Sequence, residues 1–207
     1  QWDAEIYGPS NVEADAEVIE FTSILLERLG LRDAVTRIGD RRLVEEFIRR
    51  KLGMDDEEVI IEMLRAVDKV GKKTVPQILK EYEGKGVKRE SLEKIIELGR
   101  VKGDPDQVFR ELEEQGLEGR YALAELREAL EARQVKNISF DLGVVRGLDY
   151  YTGIVFETYA KDDVKLGALA GGGRFDILPK IFGRPDTGAT GVAGGVERTM
   201  LALAQLR

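Results

Sequence analysis

One stretch, residues 140–160, constrains the fold more than any other part of this sequence; its residues are FDLGVVRGLDYYTGIVFETYA. Its second half, Ile154–Tyr159, is rich in β-branched and aromatic residues, a composition that favours a β-strand. The loop before this strand is bounded by glycines and holds Arg146, followed by the neighbouring Tyr150 and Tyr151. Two interpretations are open. The segment is an ordinary hairpin with half-buried tyrosines, or it is a site that places a cation and two phenols on a rigid strand.

A second stretch, residues 167–198, is rich in glycine. Val164–Ala170 has the composition of a strand that leads into Gly171, Gly172 and Gly173. Glycines in a strand reduce stability, because they lose conformational freedom and offer no side chain to pack. Close approach of a ligand to the backbone would justify these three glycines as a floor; the alternative is a flexible linker.

The remaining patterns predict a sheet flanked by helices. Residues 1–7 alternate between apolar and polar side chains, as a half-buried strand does, and strands are also expected at residues 34–38, 138–142 and 189–195. Ser10-Asn11-Val12-Glu13 fits a capping box that would start the first helix, and the last helix follows residue 195. Helical spacing predicts two sets of inward-facing residues: Val18, Phe21, Leu25 and Leu29 in the first helix, and Val196, Met200, Leu201 and Ala204 in the last.

Residues 54–119 differ from both flanks, because they contain short amphipathic helices separated by glycines. We therefore predict an α+β fold in which residues 1–53 and 120–207 form one sheet-bearing domain. Residues 54–119 form an all-helical insertion domain in this prediction.

Composition limits the chemistry. The chain contains neither cysteine nor histidine, which excludes thiol nucleophiles, disulfides and imidazole acids or bases. Its net charge of −7 argues against a generally basic surface for nucleic acid. Residues 69–102 are a local exception, with ten Lys or Arg against five Glu; they form either a solvated helix surface or a phosphate-binding patch.

No run approaches the ~18 apolar residues of a membrane span, so we expect a cytoplasmic protein that does not enter a membrane.

Three motifs together resemble the histidyl-tRNA synthetases, a family within the class II aminoacyl-tRNA synthetases. Val145–Glu157, VRGLDYYTGIVFE, is similar to the histidine-specific signature of that family. Gly171–Asp176, GGGRFD, resembles the glycine-rich strand of its active-site floor, and Gly191–Arg198, ending in Glu-Arg, resembles class motif 3. Strand 1–7 is similar to the end of class motif 2. The implied fold is an antiparallel sheet flanked by helices, here as part of the catalytic core.

The resemblance implies an ATP-dependent activation of histidine followed by transfer to tRNA, with Mg²⁺ on the ATP phosphates and unknown metal ligands. The implied roles are as follows: Arg146 as the catalytic cation, Gln1, Glu5, Arg146, Tyr150 and Tyr151 at histidine, Gly195, Glu197 and Arg198 at ATP, and Gly171, Gly172 and Gly173 as the floor. It also implies that patch 69–102 contacts the tRNA acceptor arm, and that the full-length protein is a homodimer.

The match is incomplete. It begins inside motif 2, so the 207 residues are expected to be a catalytic fragment with weak or no activity alone. Phe175 and Ile177 replace a tyrosine and a glycine of the family pattern. The alternatives are a non-catalytic, histidine-sensing regulatory subunit of ATP phosphoribosyltransferase, and a scaffold that only contacts RNA. The regulatory paralogue commonly lacks the Arg-Gly-Leu-Asp-Tyr-Tyr pattern, which is intact here.

Overall fold

The computed structural model describes residues 1–117, 120–147, 149–162 and 165–206. Glu118, Gly119, Leu148, Asp163, Val164 and Arg207 lie outside the described residues. The predicted boundary at residues 119 and 120, one residue of the Val145–Glu157 signature and the start of the predicted strand 164–170 therefore fall partly outside them.

A seven-stranded sheet organises the described part of the chain, in the spatial order β1-β7-β6-β5-β2-β4-β3. Its strands are β1 (Trp2–Gly8), β2 (Val35–Asp40), β3 (Lys102–Gly103), β4 (Ile138–Asp141), β5 (Ile154–Tyr159), β6 (Ala170–Arg174) and β7 (Gly188–Gly194). Only the β2–β4 pair is parallel among these described strands. The predicted α+β class with a mainly antiparallel sheet is confirmed.

Helices flank this sheet. They are α1 (Val12–Arg28), α2 (Arg41–Glu46), α3 (Glu57–Val67), α4 (Val75–Tyr82), α5 (Arg89–Leu98), α6 (Pro105–Glu114), α7 (Arg120–Ala132), α8 (Ile177–Ile181) and α9 (Val196–Gln205). A π-helical turn, Phe47–Lys51, continues α2, and a 3₁₀ turn, Ala160–Asp162, follows β5. None of the helices within the described residues is long and apolar enough to cross a membrane.

Local chemistry explains where several helices begin. The Asn11 side chain accepts a hydrogen bond from the Ala14 amide, and Asp40 accepts one from the Arg42 amide. Each cap supplies a partner for an amide at a helix start that has none within the helix.

The main core lies between the sheet and α1, α3 and α7. Ile19 of α1, Ile38 of β2, Met63 of α3 and Phe140 of β4 belong to one cluster of buried residues. The middle of the chain therefore shares the apolar core of its two flanks. Burying these side chains contributes about 1.5–3 kcal/mol each.

Residues 54–119 are not wholly helical. Lys102 and Gly103 form β3, which pairs with Phe140 and Asp141 of β4 and extends the main sheet. The all-helical character expected for this stretch is therefore corrected, because an edge strand needs only a few residues that pair with an exposed neighbour. The division into domains 1–53 with 120–207 and 54–119 stays a prediction.

The predicted buried faces are only partly right. Val18 of α1 is buried as predicted, but Phe21 and the C-cap residue Leu29 are 43% and 44% exposed. Ile19, Thr22 and Leu26 are buried instead. In α9, all four residues of the predicted inner face are exposed, namely Val196, Met200, Leu201 and Ala204, and the helix buries Thr199 and Ala202. Helical spacing therefore identified both helices but misplaced their inner faces.

The strand predicted at residues 164–170 also differs from its prediction. Strand β6 begins at Ala170 and contains the three glycines, whereas the sequence pattern placed a strand before them. The sheet provides β6 with partners on both edges, β5 and β7, and this pairing overrides weak strand propensity.

Candidate active site

One face of the sheet carries a shallow floor made by small residues. Cross-strand partners point to the same face of a sheet, so the pairs Glu5–Gly191, Gly191–Gly173 and Gly173–Val155 form one row across four strands. The next row runs from Asp3 through Ala193 and Gly171 to Glu157 and Arg37. Charged side chains therefore stand at both ends of a floor of glycine and alanine.

Arg146 lies directly over this floor. Its backbone φ is +52°, a left-handed conformation that is uncommon outside glycine, in the loop between β4 and β5. A Cβ atom built on Gly171 would lie 2.5 Å from Nη1 of Arg146, so the missing side chain of this glycine makes room for the guanidinium. Nη1 donates a hydrogen bond of 2.8 Å to Oε1 of Glu157. The net effect of burial, Tyr151 and Glu157 is a raised pKa, and Arg146 is a permanent cation.

Tyr151 is buried beside that cation. Its ring centroid lies 5.8 Å from Cζ of Arg146 and 4.6 Å from the ring centroid of Tyr150. Burial raises the pKa of the Tyr151 phenol to about 12, so its hydroxyl stays protonated at neutral pH. Phe175 completes the aromatic group, with its ring centroid 6.3 Å from that of Tyr150.

Glu5 reaches the same region from the edge strand β1. A Cβ atom on Gly191 would meet Cγ of Glu5 at 2.8 Å and Cε1 of Phe175 at 3.3 Å, so Glu5 and Phe175 flank the same glycine. The Tyr7 hydroxyl donates to Oε2 of Glu5 at 2.7 Å. The predicted pair of Glu5 and Tyr151 is thus brought to one face, whereas Gln1 precedes β1 and is exposed.

The second predicted arginine, Arg198 of α9, contacts the segment just before β6. Nη1 of Arg198 donates to the carbonyl of Ala168 at 2.9 Å, and its guanidinium lies against Gly167. Gly195 is the N-cap of α9, and Glu197 is exposed in its first turn. Arg146 and Arg198 therefore contact the same short segment, residues 167–171, from two positions.

The other two floor glycines are required by the protein's own packing. A Cβ on Gly172 would lie 2.0 Å from the carbonyl oxygen of Gly191, and one on Gly173 would lie 2.4 Å from that of Ile154. Gly173 also has φ +151°. Close packing of neighbouring strands, rather than a ligand, therefore explains why these two positions are glycine.

A profile of the histidyl-tRNA synthetase family matches residues 1–199. The chain belongs to the histidyl-tRNA synthetase family. The histidine–tRNA ligase of Pyrococcus furiosus is 39% identical to it over 207 positions, which cover 95% of this chain and 46% of the relative. The chain therefore spans about half the length of the curated relatives that it matches.

Solved structures of this family have the same fold. The crystal structure of histidyl-tRNA synthetase from Nostoc matches with a TM-score of 0.86 at 25% identity, covering 99% of this chain and 50% of that one. A structure described as an ATP phosphoribosyltransferase regulatory subunit/histidyl-tRNA synthetase from Bacillus halodurans matches with a TM-score of 0.76 at 25% identity. It covers 97% of this chain and 52% of that one.

Sequence reasoning missed part of the site of this synthetase-family chain. Glu157 stands between Arg146 and Tyr159, and Arg37 extends the same charged row, 3.6 Å from Asp141. A signal was present, because Glu157 is the only charged residue in the otherwise apolar or hydroxyl-bearing segment Ile154–Tyr159. A charge in a buried strand requires a partner.

A cavity of about 680 Å³ opens on the Glu157 side of the floor, between the sheet and the start of α4. Arg37, Lys72, Lys73, Arg100 and Lys102 are among the residues that line it. The predicted basic patch thus contributes four cations to one cavity. Within the described residues, six of its ten cations form ion pairs with carboxylates; these are Lys69, Lys72, Lys73, Lys85, Arg89 and Lys94.

Among the described residues, no group of three or more carboxylates is placed to hold a metal ion. The donors of this described part therefore do not fit a dedicated magnesium centre.

Proposed function

We propose that this chain forms the histidine- and ATP-binding part of a histidine–tRNA ligase. The observation that carries the proposal is the Arg146 guanidinium, which lies on the glycine floor between the buried Tyr151 ring and the Glu157 carboxylate. In the proposed reaction, the histidine carboxylate attacks the α-phosphorus of ATP and expels pyrophosphate. A ribose hydroxyl of tRNA then attacks the aminoacyl carbonyl and releases AMP.

Arg146 is the catalytic cation in this proposal. Two anions meet in the first step, and negative charge gathers on the α-phosphate, so a fixed cation at that place stabilises the transition state. A guanidinium is suited to this, because it stays charged and binds oxyanions with a planar fork of donors. Arg198 also binds ATP, together with Gly195 and Glu197 at the start of α9. It lies at Gly167, whereas Arg146 lies at Gly171.

Histidine binds on the side of Arg146 that faces away from Arg198, next to the two tyrosines. An imidazole ring has two nitrogens, one of which donates and the other accepts when the ring is neutral. The Glu5 carboxylate accepts a hydrogen bond from one nitrogen, and the protonated Tyr151 hydroxyl donates one to the other. Tyr150 packs alongside the ring, and Gln1 contacts the α-amino group. An amino acid without these ring nitrogens would leave both polar groups unpaired, which gives strong rejection.

The remaining proposals concern the whole protein. Patch 69–102 contacts the acceptor arm of tRNA, and its four cavity-lining cations support this, because they line one cavity with Glu157, the carboxylate that pairs with Arg146. Gly171 and Gly173, with the backbone of Gly172 between them, form the active-site floor. The complete protein is proposed to act as a cytoplasmic homodimer that uses ATP with Mg²⁺.

The test is histidine-dependent exchange of labelled pyrophosphate into ATP by the complete gene product that contains this sequence. We expect exchange that requires histidine and that falls by about 100-fold or more in Arg146→Ala, because removing one donor from a developing oxyanion has effects of that size. Arg110→Ala, which removes an exposed arginine of α6, is the matched control and should leave exchange unchanged. Absence of histidine-dependent exchange would refute the proposal.

A second candidate is a histidine-sensing regulatory subunit. The similarity to the Bacillus halodurans structure described as such a subunit or a synthetase favours it. Histidine binding and pyrophosphate exchange, measured together, distinguish the two candidates. Histidine binding measured by calorimetry together with no pyrophosphate exchange would support the regulatory subunit, whereas binding with exchange would support the ligase.

A further inference from the structure

Glu157 is a buried carboxylate that none of the proposed substrate contacts uses. Every residue of β5 is buried, and the Glu157 side chain is 11% exposed. A carboxylate is seldom buried unless its oxygens are paired with donors. Its position in the middle of the sheet therefore calls for a specific reason.

Both oxygens of this carboxylate have partners. Oε1 accepts from Nη1 of Arg146 at 2.8 Å, and Oε2 accepts from the Tyr159 hydroxyl at 2.5 Å. Burial by itself raises the pKa of Glu157, but the Tyr159 hydrogen bond, Lys72 and Arg146 outweigh it, so the net pKa is lowered. The group is thus held ionised in spite of its burial.

The space for this pair is built into the sheet. Gly171 is the cross-strand partner of Glu157, and an added Cβ would lie 2.5 Å from Nη1 and 3.0 Å from Cζ of Arg146. Gly171 thus leaves space on β6 for the guanidinium, and the Glu157 carboxylate on β5 holds the guanidinium in that space. One nitrogen of the guanidinium is committed to Glu157, which orients the rest of the planar group.

We propose that Glu157 is a positioning residue, which together with Gly171 forms a seat for the Arg146 guanidinium and aims it at the reacting phosphate. This rests on the proposed function for the nature of the reaction. The seat itself requires only the contacts above. A displacement of about 1 Å in a catalytic group can reduce a rate by about 100-fold, so an anchor of this kind has a measurable effect on turnover.

The steady-state test separates positioning from folding. In the complete gene product, Glu157→Gln should lower kcat for histidine-dependent pyrophosphate exchange by about 100-fold and leave KM for histidine and ATP within about twofold. Glu131→Gln is the matched control, because Glu131 is an exposed carboxylate that pairs with Arg127 at 2.7 Å, away from the floor. An unchanged kcat in a folded Glu157→Gln protein would overturn the proposal.

Chemical rescue tests the seat directly. In Arg146→Ala, millimolar guanidinium should fill the vacated seat and raise kcat at least tenfold, whereas Arg146→Ala with Glu157→Gln should gain less than twofold. Equal rescue of both proteins would overturn the proposal. If the double variant does not fold, Arg146→Ala with Tyr159→Phe replaces it. Loss of the Tyr159 hydrogen bond should raise the guanidinium concentration for half-maximal rescue severalfold, and an unchanged concentration would count against the seat.

A binding measurement keeps the two proposals distinguishable. Line broadening of ¹³C-labelled guanidinium in NMR should report binding to Arg146→Ala that is lost in the double variant with Glu157→Gln. This readout does not depend on catalysis. Seat-dependent binding without histidine-dependent exchange by the parent protein would refute the proposed function and support the seat, and exchange without seat-dependent binding would do the reverse.

Discussion

Two adjacent glycines of β6, Gly171 and Gly172, should differ strongly in how much stability an alanine substitution costs. In Gly172→Ala, the new Cβ would lie 2.0 Å from the carbonyl oxygen of Gly191 and 2.9 Å from Cζ of Phe156. Carbon–oxygen contacts between strands are normally about 3.3 Å, so β6 and β7 would have to separate by roughly 1 Å. In Gly171→Ala the obstacle is the Arg146 guanidinium, the mobile end of a long side chain, which can move away.

The expected free energies follow from these contacts. Overpacking of Gly172→Ala costs about 1–3 kcal/mol, and each weakened hydrogen bond between β6 and β7 adds about 1 kcal/mol. Replacing a glycine also stabilises the folded state by about 0.4–1 kcal/mol, because the unfolded chain has less conformational entropy. The net destabilisation is about 3 kcal/mol. For Gly171→Ala, the weakened Arg146–Glu157 pair and the gain from removing a glycine are of similar size, which leaves the change within about 1 kcal/mol.

Thermal and urea unfolding of the 207-residue chain measure this contrast. At about 2–4 °C per kcal/mol for a chain of this size, Gly172→Ala should melt roughly 6–12 °C below the parent, and Gly171→Ala within about 4 °C of it. A Gly172→Ala protein that melts within about 2 °C of the parent would refute the close packing of β6 on β7. A larger loss in Gly171→Ala than in Gly172→Ala would refute the assignment of which glycine faces the arginine.

Three further predictions concern the site and its surroundings. Tyr151→Phe in the complete gene product should raise KM for histidine more than KM for ATP in pyrophosphate exchange, because only histidine is proposed to contact the hydroxyl; equal increases would contradict this. The lowered pKa of Glu157 should stabilise the fold above about pH 4.5 and lose that effect as pH falls through the folded-state pKa. The difference in unfolding free energy between the parent and Glu157→Gln should therefore shrink in acid, and a constant difference from pH 7 to pH 3 would exclude this linkage. The exposed pair of Arg65 and Asp149, 3.0 Å apart, should contribute less than about 1 kcal/mol in a double-mutant cycle of unfolding, and a larger coupling would show that it locks the Arg146 loop.

Local patterns predicted the strands and helix starts that depend on near neighbours. Alternation in residues 1–7 identified β1, and the polar set of Asp3, Glu5 and Tyr7 does face away from the core. The predicted capping box, residues 10–13, located the start of α1 to within one residue, since Asn11 rather than Ser10 is the N-cap. Such features are decided within a few residues of the chain, because strand alternation and helix capping are short-range effects.

Partners distant in sequence decided the features that were mispredicted. Helical spacing could not show that Phe21 and Met200 are exposed, since the choice of inner face depends on what packs against each helix. Two-residue β3 has no pattern of its own and exists through its pairing with β4. The glycines of β6 form a strand because β5 and β7 lie on either side.

The sequence alone determined the inventory of the site: one arginine before two tyrosines, a run of glycines, and no cysteine or histidine to offer other chemistry. Only the tertiary structure decided that Glu157 meets Arg146 over Gly171, since cross-strand register, rather than neighbouring residues, brings those three together. The physical reason is that a charge can be buried only where its partner lies, and register fixes where that is.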